Sequence, residues 1–108
     1  MTREVFFTRR AEADVEEAVG FYHSRSATVA ARWLDELRSV VARIEDNPES
    51  YARSPENNRF PVELRQANFG AGRKPTHRAI FTVREKEVVV YAVRHLARDV
   101  LSDDDLHS

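Results

Sequence analysis

An α+β domain, with a helical hairpin on one side of a small sheet, is predicted by three observations. Residues 11–22 and 30–44 carry apolar side chains at helical spacing. Residues 77–83 alternate in polarity and residues 88–93 are continuously apolar, so both read as strands, divided by the charged turn Arg84-Glu85-Lys86-Glu87. A short apolar run, Val5-Phe6-Phe7, precedes the helices, which gives the order β-α-α-β-β-β. That order implies a two-layer domain: an N-terminal strand, an antiparallel helical hairpin, then three antiparallel strands, with both helices on one side of an antiparallel sheet. At 108 residues and 42% hydrophobic composition, one domain spanning residues 1–108 has enough apolar material for a core without staples.

Each element has a local reason. Thr8 is a candidate helix N-cap directly after the first strand. Ala11, Val15, Ala18, Val19 and Tyr22 then fall on one helix face, and the first helix ends near His23. After the polar link Ser24-Arg25-Ser26, a second stripe runs through Ala30, Trp33, Leu34, Leu37, Val40, Val41 and Ile44 until Asn47-Pro48 stops it, because a residue before proline is pushed out of the α region. So short a link makes the two helices antiparallel neighbours, with Trp33 as a core anchor. Residues 48–61, with three prolines and two asparagines, read as an irregular connection. Residues 62–69 form the second strand, interrupted by Gly70, Gly72 and Pro75.

In the third strand Ala79, Phe81 and Val83 point one way and Arg78, Ile80 and Thr82 the other, the pattern of a half-buried strand. The fourth carries Val88, Val90 and Ala92 on one face and Val89, Tyr91 and Val93 on the other, so both faces need cover. Two helices cover one face, and the chain has nothing evident for the second. A partner is therefore expected there, unless the acidic tail folds back.

Several function classes are excluded or unsupported. No cysteine is present, which removes disulfides, thiolate nucleophiles and cysteine-based zinc sites and is compatible with a reducing cytoplasm, the expected location. No apolar run reaches the roughly 20 residues of a membrane span, and MTREVFFTRR lacks a signal-peptide core. His23, His77, His95 and His107 form no i, i+4 pair, and Asp103-Asp104-Asp105 reads as a solvated tail, so no metal is expected. No nucleotide-binding glycine motif and no GxSxG occurs, so no cofactor is expected.

The net charge of −1 conceals an opposition. Residues 11–58 hold ten acidic and five basic groups, whereas residues 59–98 hold nine basic and three acidic. Such asymmetry suggests a basic surface for an anionic partner, although the two halves can also neutralise each other. The basic groups Arg65, Arg73, Lys74, His77, Arg78, Arg94, His95 and Arg98 belong to the sheet and its links. Arginine clamps phosphate oxygens with a planar fork of donors but cannot act as a base, so proton transfer would fall to His95, His77 or Tyr91.

Taken in order, the helical segments AEADVEEAVGFY and AARWLDELRSVVARIEDNPE, the pair Leu64-Arg65, the strand HRAIFTV and the closing VVVYAVRHLARD resemble the ParE/RelE superfamily of type II toxin-antitoxin toxins over nearly the whole chain. The resemblance implies a toxin neutralised in a hetero-oligomer by a cognate antitoxin, whose C-terminal segment wraps it as a helix and an extended strand. Ile80, Val88, Val90 and Ala92 are the expected antitoxin contacts. RelE-like members cut mRNA on the ribosome, whereas ParE-like members act on DNA gyrase without nuclease activity.

Arg78 matches the third-strand arginine of the nucleases and Arg65 their second-strand basic group, which makes these two, with His95, the catalytic candidates. Leu96 and Ser102 stand where the nucleases carry a later arginine and a tyrosine. Val93-Arg94-His95 followed by Arg98 is similar to the ParE ending. The expected target-facing groups are therefore Arg78, Arg94, His95 and Arg98, and the expected target is gyrase. A ribosome-dependent mRNA endoribonuclease and an inactive antitoxin-binding co-repressor are the alternatives.

Overall fold

The computed structural model describes residues 2–96. Among them are four strands and two helices: β1 (Glu4–Phe7), α1 (Arg9–His23), α2 (Ala27–Asp46), β2 (Arg65–Phe69), β3 (His77–Val83) and β4 (Glu87–His95). Two single 3-10 turns, Pro48–Ser50 and Asn57–Arg59, lie in the connection from α2 to β2. No helix of the described residues is long and apolar enough to cross a membrane.

Thr8 begins α1 as its side chain predicts, with Oγ1 accepting from the Ala11 N–H at 3.1 Å. The same hydroxyl donates to the Tyr91 carbonyl at 3.1 Å, so the cap also ties the helix start to β4. Ser26 caps α2 by accepting from the Val29 N–H at 3.2 Å. At the other end Asn47 leaves the helical region (φ −151°, ψ 71°) ahead of Pro48. The two helices are not equivalent. Trp33, Leu37, Val40 and Ile44 of α2 are buried, whereas α1 buries only Ala11 fully and leaves Val15, Ala18, Val19 and Tyr22 partly covered. Burying these four α2 side chains contributes roughly 6–12 kcal/mol of gross transfer free energy, so α2 is the helix that holds the core.

The sheet has the order β1-β4-β3-β2. The last three strands are antiparallel, as expected. β1 pairs with β4 in parallel, which makes the sheet mixed and corrects the all-antiparallel expectation. The chain passes from β1 through the helical hairpin, β2 and β3 before β4 runs beside β1 in the same direction, and residues such as Phe6 and Val89 come into register. β2 is shorter than expected because its pairing with β3 begins only at Arg65. Leu64 instead accepts from the Ser54 N–H at 2.8 Å and buries its side chain.

A β-bulge decides which residues share a face. Ile80 pairs with Ala92 but Phe81 pairs with Val90, so Tyr91 is an extra residue in β4. Before the bulge Val88 and Val90 face the helices; after it Val93 does, packed with Trp33, Leu37, Ala79 and Phe81. Ala92 moves to the outer face beside Ile80. The expected grouping of Val88, Val90 and Ala92 on one face is thus corrected, because simple alternation does not survive an inserted residue.

The outer face is also not bare. Leu64, Ile80, Tyr91 and Ala92 form a second apolar cluster, with Phe60, Val62 and Val89 packed against it. The connection that reads as an irregular loop is therefore a strap across the sheet. It explains why His77 to Thr82 are all buried rather than alternately exposed. Ile80, Val88, Val90 and Ala92, the expected antitoxin contacts, are each fully buried by the chain itself and present no surface.

Candidate functional site

Arg78 lies on the outer face under the strap. Its Nη1 donates to Glu56 Oε1 at 2.8 Å and its Nη2 to Glu56 Oε2 at 2.6 Å, a bidentate pair. Nη1 also donates to Gln66 Oε1 at 2.9 Å. Glu56 is fully buried and the Arg78 side chain is 6% exposed. Two charges removed from water to this degree are held only because each satisfies the other. Arg78 thereby anchors the strap. Its guanidinium is turned from solvent.

Arg65 is occupied elsewhere. The β2–β3 register places it opposite Phe81, on the helix side, whereas Arg78 pairs with Asn68 on the outer side. Its Nη1 donates to the carbonyls of Tyr51 and Glu49, and its Nη2 meets Glu63 Oε1 at 3.0 Å. These bonds fix the segment after α2 against the start of β2.

His95 sits at the end of β4, opposite His77 and about 13 Å along the sheet from the position of Arg65. The three catalytic candidates Arg65, Arg78 and His95 are therefore not brought together. One lies under the strap, one beside the segment following α2, and one at the exposed end of the last strand. Tyr91 does not join His95 either, since its ring lies in the outer cluster. The Tyr91 hydroxyl, with Glu87, holds the Arg84 guanidinium above its ordinary range.

His77 has a structural occupation. The Trp33 indole N–H donates to its Nδ1 at 3.2 Å, and Thr76 Oγ1 lies 2.8 Å from the same nitrogen. Indole only donates, so Nδ1 accepts and the ring carries its proton on Nε2. Tyr22, Trp33 and Phe69 surround this imidazole with ring centroids 5.2–6.1 Å away. Nothing in the sequence pattern distinguishes this core histidine from His95, whose ring is 5.1 Å from it but exposed.

What the structure does bring together is a cleft of about 390 Å³ between α1 and the end of β4, lined by Asp14, Glu17, Phe21, Tyr22, Arg94 and His95 among others. The register places Arg94 beside Arg78, yet its Nε is 3.8 Å from Asp14 Oδ2, so the side chain turns to the strand edge. Asp14 also accepts from the Val93 N–H at 3.0 Å, where β1 has already ended and left the β4 edge open. Phe21 is 52% exposed at the cleft mouth and Leu96 38% exposed at the end of β4. Of the expected target-facing groups, Arg94 and His95 line this cleft and Arg78 does not. Arg98, Ser102 and the acidic tail lie outside the described residues. Among the described residues no group of three His, Asp or Glu is placed to hold a metal ion.

Comparison with known proteins agrees with this architecture. The family model described as ParE toxin of type II toxin-antitoxin system, parDE, matches residues 5–100. No curated protein sequence matches significantly. Among solved structures, a chain of the chromosomal ParDE TA system from P. aeruginosa aligns with a TM-score of 0.68 at 18% identity, covering 87% of this chain and 96% of that one. At that identity the likeness speaks to the fold.

Proposed function

The chain belongs to the ParE toxin family of type II toxin-antitoxin systems, and from that premise we propose that its target is DNA gyrase, which it poisons by binding and not by chemistry of its own. Membership carries an antitoxin as partner. The observation that favours gyrase over mRNA is the state of Arg78. A ribonuclease needs that third-strand arginine free to meet a phosphate, and here both of its terminal nitrogens are committed to buried partners. Arg65 and His95 stand too far apart to complete a site with it. On this reading Arg94 and His95, which line the cleft beside α1, face the target together with Arg98, which follows them in sequence.

Because the chain itself buries Ile80, Val88, Val90 and Ala92, we propose that the antitoxin meets other residues. The large apolar side chains exposed among the described residues are Phe6, Phe21 and Leu96, and an antitoxin that leaves the fold intact has these to cover.

The test is direct. Added to purified gyrase with closed-circular DNA, the chain is expected to block supercoiling and to accumulate gyrase-dependent double-strand breaks. The same preparation is expected to leave ribosome-bound mRNA uncut. Unaltered gyrase together with new cuts in the mRNA would establish the nuclease reading instead, and induction without antitoxin that leaves growth unchanged would point to an inactive antitoxin-binding module.

A further inference from the structure

We propose that His77 makes the fold acid-sensitive: a second proton on its imidazole breaks the hydrogen bond from Trp33 and loosens α2 from the sheet. The proposal is independent of the gyrase and antitoxin readings, and it is tested on the chain alone.

His77 opens β3 and is 7% exposed. Its Nδ1 accepts from the Trp33 indole N–H at 3.2 Å and lies 2.8 Å from Thr76 Oγ1. In a neutral imidazole one nitrogen donates and the other accepts, whereas in an imidazolium both donate. The second proton therefore arrives at Nδ1, facing an indole N–H that can only donate. Thr76 can turn its hydroxyl to accept that proton. Trp33 has no such choice, and at 0% exposure it is out of reach of water. Protonation thus leaves a buried N–H without its acceptor, and the folded ring resists it.

The position of Trp33 makes this a matter for the whole core. Its ring lies 5.3 Å from that of Phe69 on β2 and 6.2 Å from that of Tyr22 on α1, and it belongs to the cluster that joins both helices to the sheet. His77 itself is held among Tyr22, Trp33, Phe69 and His95, with ring centroids 5.1–6.1 Å away. A surface histidine turns into solvent with its new proton. This one is enclosed by four rings.

The groups facing His77 come from every element packed against it. Trp33 of α2, Phe69 of β2 and Thr76 of the link carry no charge. From α1 come Tyr22 and the cleft carboxylates Asp14 and Glu17, and from β4 come Arg94 and His95. The carboxylates favour a proton on His77, whereas Arg94 and a protonated His95 oppose it. Asp14 is engaged by the Val93 N–H and lies near Arg94, so the opposing charges offset one another and the Nδ1 contact decides.

The sign follows by linkage. In the unfolded chain a histidine takes its second proton as pH falls through about 6.5. Below that pH the unfolded state binds a proton that folded His77 does not, so stability is lost as the solution is acidified. Above it both states are neutral and the contribution is level.

Denaturant unfolding of the purified full chain between about pH 8 and pH 5, followed by the fluorescence of Trp33, its single tryptophan, tests this. The unfolding constant of wild type is expected to be level above about pH 7 and to rise below about pH 6.5, by up to tenfold per pH unit from this one group. His77→Asn keeps an acceptor near the position of Nδ1 but takes no proton, and it is expected to flatten that rise, whereas His95→Ala retains it. Imidazole nitrogen NMR of wild type is expected to show His77 still neutral, with its proton on Nε2, at about pH 6, where an exposed histidine is largely protonated. The NMR measurement needs no variant, so it decides the question even if His77→Asn fails to fold. The proposal is overturned if folded His77 takes its second proton at about pH 6.5 or above while the Trp33 indole N–H resonance stays unmoved. It is equally overturned if His77→Asn keeps the wild-type pH dependence, or if His95→Ala is the variant that abolishes it.

Discussion

Arg78 and Glu56 illustrate why residue type alone does not assign a role. An arginine on a strand next to a histidine satisfies the chemical requirements of a phosphate site, and here it is the anchor of a strap. Removing one member leaves the other buried and uncompensated, so Glu56→Ala is expected to lower unfolding free energy by about 3–5 kcal/mol in denaturant titration, whereas the paired change Glu56→Leu with Arg78→Met is expected to recover most of it. If Glu56→Ala cost less than about 1 kcal/mol, the pair would not be structural and Arg78 would return as a functional group. Gly70 gives a second case. Gly70→Ala forces its Cβ against the Thr76 backbone at 2.9 Å, and a melting temperature lowered by several degrees, corresponding to about 1–3 kcal/mol, is expected.

The elements were legible to different degrees. Both helices followed from their stripes and stops: Thr8 caps the first and Asn47-Pro48 ends the second, as local sequence dictates. β3 and the antiparallel pairing of the last three strands were equally readable. The strap was not, because residues 48–64 carry no period; their apolar members Phe60, Val62 and Leu64 reach the outer face individually. Leu64→Ala is expected to cost about 2–5 kcal/mol and to make residues 54–63 more rapidly cleaved by protease, while a solvent-exposed loop would tolerate the change within about 0.5 kcal/mol. The Tyr91 bulge was also hidden. An uninterrupted VVVYAV run offers no polar residue to mark where the alternation slips, and only pairing with Ile80 and Phe81 fixes it.

At the scale of the whole molecule, the charge opposition seen along the chain becomes a difference between places. Glu56 and Arg78 pair inside, Arg65 pairs with Glu63, and Arg73, Lys74, Arg25 and His95 occupy exposed positions. Growth arrest and stability should therefore separate. His95→Ala, at an exposed position, is expected to weaken growth arrest on controlled expression by at least about tenfold in surviving colonies with the melting temperature within about 2 °C of wild type, whereas Arg78→Ala should lower both. Loss of stability in His95→Ala, or full toxicity retained by it, would remove His95 from the target surface.

Sequence by itself determined the helical hairpin, the order of elements along the chain, the absence of thiol chemistry and, through motifs in series, the family. These depend on neighbours within a few residues, on composition, or on the linear order of motifs. Tertiary structure alone decided that β1 runs parallel to β4, that Tyr91 exchanges the faces of Ala92 and Val93, and that residues 54–64 cover the outer face. It also decided that Arg78 is bound while Arg73 is exposed. The reason is physical: a charge is buried or presented according to partners far away in the chain, here Glu56, 22 residues from Arg78, and no local pattern records which partner will arrive.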